Sequence, residues 1–282
     1  MCSKNGIIPK RSEVLLEEKY LELLKKLRLI DDVFFSVCFD DNAKDVEYIL
    51  RIILDKDDLK VLRVQTQKSV ENIYGRSVRF DVFATDTQGK LYNIEVQRAD
   101  SGAIPQRARY NSVMLDYHEL KKQEGFKDLP ESFVIFITEN DVIGDGGKIY
   151  HADRIIKETG KDFGDGTHII YVNGSFKGEI GKPLDDLIHD FFCENPAEMR
   201  HKQLADRVAF LKENRGEVSK MSSSIIAEFF KDEIAAAEAE GKEKNLIENI
   251  RSLMKKLNMT AQQAMDILEV PANEQEKYLA LI

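Results

Sequence analysis

Residues 78–85 and 91–97 alternate apolar and polar side chains, the period of a β-strand with two unlike faces. Phe80, Val82 and Ala84 are expected on one face with Tyr92, Ile94 and Val96. Arg79, Asp81, Glu95 and Gln97 are expected on the other. Between the two runs, Thr87-Gln88-Gly89 suits a hairpin loop built on a type I turn, with Gly89 taking the left-handed position. That loop pairs Asp86 with Lys90. In the same register Asp81 falls opposite Glu95, and Arg79 opposite Gln97.

Other stretches carry the helical period. Residues 11–29 predict an amphipathic helix capped by Ser12, and residues 43–54 a second, with a stripe of Val46, Ile49, Leu50 and Ile53. A strand is expected at 61–67. Pro105 opens a helix running to Glu124, with Ala108, Val113, Leu115 and Leu120 on its apolar side. Residues 133–138 (FVIFIT) and 168–172 (HIIYV) are continuous apolar runs, as in strands buried on both faces. The order α-β-β-β-α-β defines an α/β domain with a crossover between its last two strands.

From Pro183 onward strand patterns give way to helices, expected at 184–194, 197–213, 224–239, 244–257 and 261–268, with a short one after Pro271. Thr260 and Gln263 form a capping-box sequence. The expected division is therefore an α/β domain over residues 1–195 and an all-α region over 196–282.

Opposed like charges destabilise a hairpin, so the pairing of Asp81 with Glu95 needs a physical account. One is a divalent cation held by hard oxygen ligands. The other is a solvated face on which Arg79 and Lys90 dilute the repulsion. Charge distribution adds a second indication. The chain carries a net charge of −9, yet residues 60–125 hold 11 Lys/Arg against 8 Asp/Glu, so the segment around the carboxylates is the basic one. Cys2, Cys38 and Cys193 are far apart and lack zinc-site spacing, and the five histidines form no ligand pattern. Reduced thiols, no apolar leader and no run long enough to span a bilayer predict a cytoplasmic protein that does not enter membranes. No aromatic interleaving marks a stacking platform for single strands.

Arg79-Phe80-Asp81-Val82, followed by Asn93-Ile94-Glu95-Val96-Gln97, resembles the core signature of the PD-(D/E)XK nuclease superfamily. More narrowly it resembles the bacterial branch of PD-(D/E)XK family transposases and recombination-promoting nucleases. The resemblance implies a restriction-endonuclease-like αβββαβ core, a mixed sheet flanked by helices, and a helical tail that is helix-turn-helix-like or oligomerising. It implies Asp81 and Glu95 as ligands of Mg²⁺ or Mn²⁺, with the backbone carbonyl of Val96 beside them and Gln97 orienting water or a phosphate oxygen. Gln97 stands where most of the superfamily carries Lys. Glu47 is a candidate further ligand from the helix before the first strand. Arg79, Arg98, Gln106, Arg107, Arg109 and Tyr110 gather near the crossover helix as candidate DNA contacts. The resemblance implies a metal-dependent DNA endonuclease acting in recombination or transposition. The alternative is a non-catalytic DNA-binding or scaffold protein that keeps the fold.

Overall fold

The structure, a computed structural model, describes residues 24–121, 123–213, 246–252, 254–255, 259–268 and 270–279. The helices expected at 11–29 and 224–239 lie largely or wholly outside these. The chain divides into two compact units, residues 1–221 and 222–282.

The first unit is built on one six-stranded sheet in the order β1-β2-β3-β4-β8-β5. β1 (Val61–Val70), β2 (Val78–Asp86) and β3 (Leu91–Gln97) form an antiparallel meander. β4 (Ser132–Thr138) and β8 (Thr167–Asn173) run parallel to β3, and β5 (Ile149–Ala152) closes the far edge antiparallel. A short separate ladder, β6 (Ile155–Ile156) with β7 (Lys161–Asp162), lies in the loop before β8. Helices α1 (Asp32–Phe39) and α2 (Ala43–Leu54) pack on the meander, and α3 (Pro105–Glu119) crosses from β3 to β4. This mixed sheet flanked by helices is the expected α/β class.

Val46, Ile49, Leu50 and Ile53 of α2 are all buried, as their spacing predicts. Two expectations for side chains are overturned. Val113 is 52% exposed, so the buried side of α3 is Ala108, Met114 and Leu115 instead. Phe80 does not share the face of Val82; it joins Phe83, Leu91, Val134 and Phe136 in one cluster, its ring stacked 6.4 Å from that of Phe83. Residues three apart point to opposite sides of a regular strand, so alternation breaks between them. The break falls where Asp81 and Gln67 drop out of the β1–β2 register, Gln67 having a φ of 50°.

Two helices are shorter than expected, each because side chains capture backbone groups. α3 stops at Glu119; beyond it Glu124 accepts the Lys121 N–H at 2.9 Å and fixes a turn. Near the end of the unit, α4 (Pro183–Phe191) is followed by α5 (Lys202–Glu213). Buried Asp190 takes the N–H groups of Arg200 and His201 at 2.7 and 2.8 Å, so α5 begins only at Lys202. Through Arg207, which donates to the Cys38 carbonyl at 3.0 Å, α5 is tied to α1, so this helix belongs to the first unit.

In the second unit, α6 (Ala261–Ile267) and α7 (Ala272–Leu279) enclose a small core of Ile250, Ala264, Met265, Val270 and Tyr278. The capping box forms: Thr260 Oγ1 accepts from the Gln263 N–H, and Gln263 Oε1 from the Thr260 N–H. No helix among the described residues is long and apolar enough to cross a membrane.

Candidate active site

The β2–β3 hairpin has the register its turn predicts. Val82, Phe83, Ala84 and Thr85 face Ile94, Asn93, Tyr92 and Leu91. Asp86 and Lys90 close the loop with an N–H to carbonyl bond of 3.1 Å, and Gly89 sits at φ 82°. The ladder ends at Val82 and Ile94. Beyond that point side chains take the hydrogen-bonding positions of the backbone. The Val96 N–H donates to Asp81 Oδ2 at 3.1 Å, and the Asp81 N–H approaches Glu95 Oε1 at 3.4 Å. The strands open around the two carboxylates. Arg79 therefore does not meet Gln97; it pairs with Ser69 on β1 and is exposed.

The solvated-face account does not hold for this pair. Glu95 is 0% exposed and Asp81 7%. Glu95 is held by a buried chain of amides: Asn111 donates to Asn93 at 3.1 Å, and Asn93 donates to Glu95 Oε1 at 2.8 Å. Its other oxygen accepts from the Arg107 guanidinium at 2.9 Å. Arg107 reaches back from the first turn of α3 and also donates to Gln97 Oε1 at 3.3 Å and to the Gly102 carbonyl at 2.9 Å. A side chain at Gly102 would meet the Gln97 amide, which would then have to shift from its place beside Arg107.

Burial raises the Asp81 carboxyl well above its ordinary range, reinforced by the charge of Glu95 and, more weakly, of Asp32. Burial also raises Glu95, against the hydrogen bonds from Asn93 and Arg107. Val96 turns the same edge of its backbone toward this opening. Its N–H points to Asp81, whereas the next carbonyl, of Gln97, accepts from Glu139 on the β4 side at 3.0 Å. Neighbouring residues of a strand direct their backbone groups to opposite sides, so the Val96 carbonyl faces the gap left by β2.

The other expected residues divide. Glu47 is not brought to the pair. Its carboxylate takes Arg51 at 2.7 Å and the Val61 N–H at 2.9 Å, capping the end of β1 remote from Asp81. Besides Glu95, the acid whose charge reaches Asp81 is Asp32, in the first turn of α1. Arg98 is engaged by Asp31 at 3.1 Å and Glu139 at 3.0 Å. Gln106 and Arg109 are exposed on α3, while Tyr110 donates to the Arg76 carbonyl at 2.5 Å.

Asp32, Asn93, Asn111 and Gly102 escape the sequence reading. Asn93 was accessible to it: it shares the Glu95 face two positions away. Asp31-Asp32 opening an apolar helix was a further signal. Asn111, from a helix, could be joined to β3 only by the fold.

A separate group corrects the expectation for cysteine and histidine. His189, Asp190 and Cys193 approach one another on α4 and just past its end, within 4.8 Å. The oxygens of Asp190 are committed to His201, His189 and two backbone N–H groups.

A mixed sheet carrying two buried acids at the end of an opened hairpin defines the restriction-endonuclease-like class of α/β domain. Within that class, residues 41–177 match the family model of the PD-(D/E)XK nuclease family transposase. No curated protein and no solved structure matches the chain.

Proposed function

We propose that the first unit is a metal-dependent endodeoxyribonuclease. It hydrolyses phosphodiester bonds of DNA in recombination or mobile-element transposition, using Mg²⁺ or Mn²⁺ held by Asp81 and Glu95. The observation that carries this reading is a pair of buried carboxylates set where the hairpin opens, with Arg107 as the cation against them. Like charges in such a place raise one another's pKa, and a divalent ion relieves the repulsion.

The donor set fits a hard ion. Asp81 accepts the Val96 N–H at Oδ2, which leaves Oδ1 to serve as a metal ligand. The Val96 carbonyl supplies a further oxygen, and Asp32 adds negative charge at the α1 side. An ion there would neutralise charge on the reacting phosphate and lower the pKa of a bound water.

The chain's own residues do the rest. Asn111 and Asn93 fix the Glu95 carboxylate. Arg107, already facing the gap, has a fork suited to a phosphate oxygen. Gln97 orients water or that oxygen through its amide. Exposed Arg79, Gln106 and Arg109 hold the flanking backbone, while Arg98 and Tyr110 support the surrounding loops.

A non-catalytic reading draws on one observation: Arg107 and Gln97 bind each other, so this cation is already engaged at the strand end. Plasmid nicking with Mg²⁺ or Mn²⁺ separates the two. The wild type is expected to nick, with Asp81→Ala and Glu95→Ala lowering the rate about 10³-fold or more. Activity surviving both substitutions sinks the site. Thermal stabilisation by Mn²⁺ that is absent from the wild type favours the scaffold reading.

A further inference from the structure

The turn between β1 and β2 presents two large apolar side chains to solvent: Ile73 is 82% exposed and Tyr74 95%. They are held out by a built turn. The Tyr74 N–H donates to Asn72 Oδ1 at 3.0 Å, the Gly75 N–H to the Asn72 carbonyl at 3.3 Å, and the Asn72 N–H to Ser77 Oγ at 3.1 Å. An Asx turn of this kind presets the chain, so little conformational freedom remains to be lost when the tip meets a partner.

The base of the turn is fastened to the helix that serves the site. Tyr110 donates to the Arg76 carbonyl at 2.5 Å and receives Asn72 Nδ2 at 3.3 Å. Arg107, which touches Glu95, lies one helical turn earlier, about 4.5 Å along the axis. The tip and the carboxylate pair thus share one rigid support. Arg76 and Arg79 follow the tip along the chain and Arg109 precedes Tyr110 on α3, all three exposed, and Glu71 is the one acid between Val70 and Asp81.

The geometry points to Ile73 and Tyr74 as a nucleobase wedge that inserts at a base step of duplex DNA beside the bond presented to Asp81 and Glu95. This rests on the reading above only in taking DNA as the substrate. Apolar wedges of this size unstack base steps, and an aromatic ring stacks on any base without reading its sequence. A rim of arginines anchors the flanking phosphates while the apolar pair meets the bases.

The test uses the full chain carrying Asp81→Asn, which prevents cutting, and a short duplex containing 2-aminopurine. Binding should raise its fluorescence as the stack opens. Adding Tyr74→Ala should remove that rise and weaken binding about ten-fold. The slope of affinity against salt should stay the same, because no phosphate contact is lost. Both side chains lie outside the core, and far-UV circular dichroism checks that the fold is retained. Unchanged fluorescence and affinity overturn the proposal, as does failure to bind DNA at all. A shift in the elution volume of the free protein on Tyr74→Ala also overturns it, by assigning the surface to a second copy. Base opening by a wild type that never cuts would sink the nuclease reading and leave the wedge. Cutting indifferent to Tyr74→Ala does the reverse.

Discussion

β2 carries two buried aspartates, one at each end of its pairing with β3, and they live in opposite surroundings. Asp86, 4% exposed, is saturated with donors: the N–H groups of Gln88 and Lys90 at 2.8 and 2.9 Å, and the Tyr92 hydroxyl at 2.8 Å. Asp81, 7% exposed, has the Val96 N–H and then another carboxylate beside it. One acid closes a turn and the other leaves a strand pair open. Burial alone does not tell a structural carboxylate from a reactive one; the count of donors does.

Three substitutions press on that contrast. Arg107→Ala should have the largest effect, lowering nicking about 10²-fold, because it removes the cationic donor held against Glu95. An unchanged rate would mean that the open end needs no positive side chain. Asp86→Ala should cost about 2 kcal/mol, lowering the melting temperature by about 4–8 °C, since the buried Tyr92 hydroxyl and two N–H groups lose their acceptor. Nicking per folded molecule should not change; a loss in step with Asp81→Ala would erase the distinction between the two ends.

Asp81→Asn has the smallest effect and the opposite sign. Without metal it should raise the melting temperature at pH 7.5 by about 2 °C, as a buried like charge disappears. The Asp81 carboxyl titrates above its ordinary range, so its penalty is absent below the unfolded pKa and grows as pH rises through the folded one. The advantage of Asn should therefore shrink on acidification. An advantage that stays constant with pH would mean that Asp81 is not strained by its neighbours.

Much of the open end was legible in the sequence because it depends on short-range rules. The turn at Thr87-Gln88-Gly89 sets the register, and the register sets Asp81 against Glu95. The αβββαβ order and α2 with its buried stripe follow from periodicity. What failed depends on contacts distant in sequence. Phe80 changes face because β1 is irregular at Gln67, and Val113 is outside because α3 lies on β4 and β8 over a narrow strip. Glu47 shows the limit best. It sits on the right helix, yet Arg51 and Lys60 draw it to the wrong end of the sheet, while Asp32 approaches from a helix that the pattern did not reveal. The boundary after residue 195 followed the end of strand patterns, whereas α5 is drawn into the first unit by its hydrogen bonds to α1 and to Asp45 of α2.

The close fit of Arg107 among Glu95, Gln97 and the Gly102 carbonyl has a consequence for changing this protein by design. The pocket has a single seat for a positive side chain, and it is filled from the helix rather than from the strand. Restoring the commoner lysine through Gln97→Lys would set two cations in contact and should impair the site instead of improving it. Lysine at 97 becomes acceptable only when Arg107 is made neutral in the same molecule. The two positions then act as one inherited choice, and a survey of single substitutions would record each as intolerant without revealing the exchange that connects them.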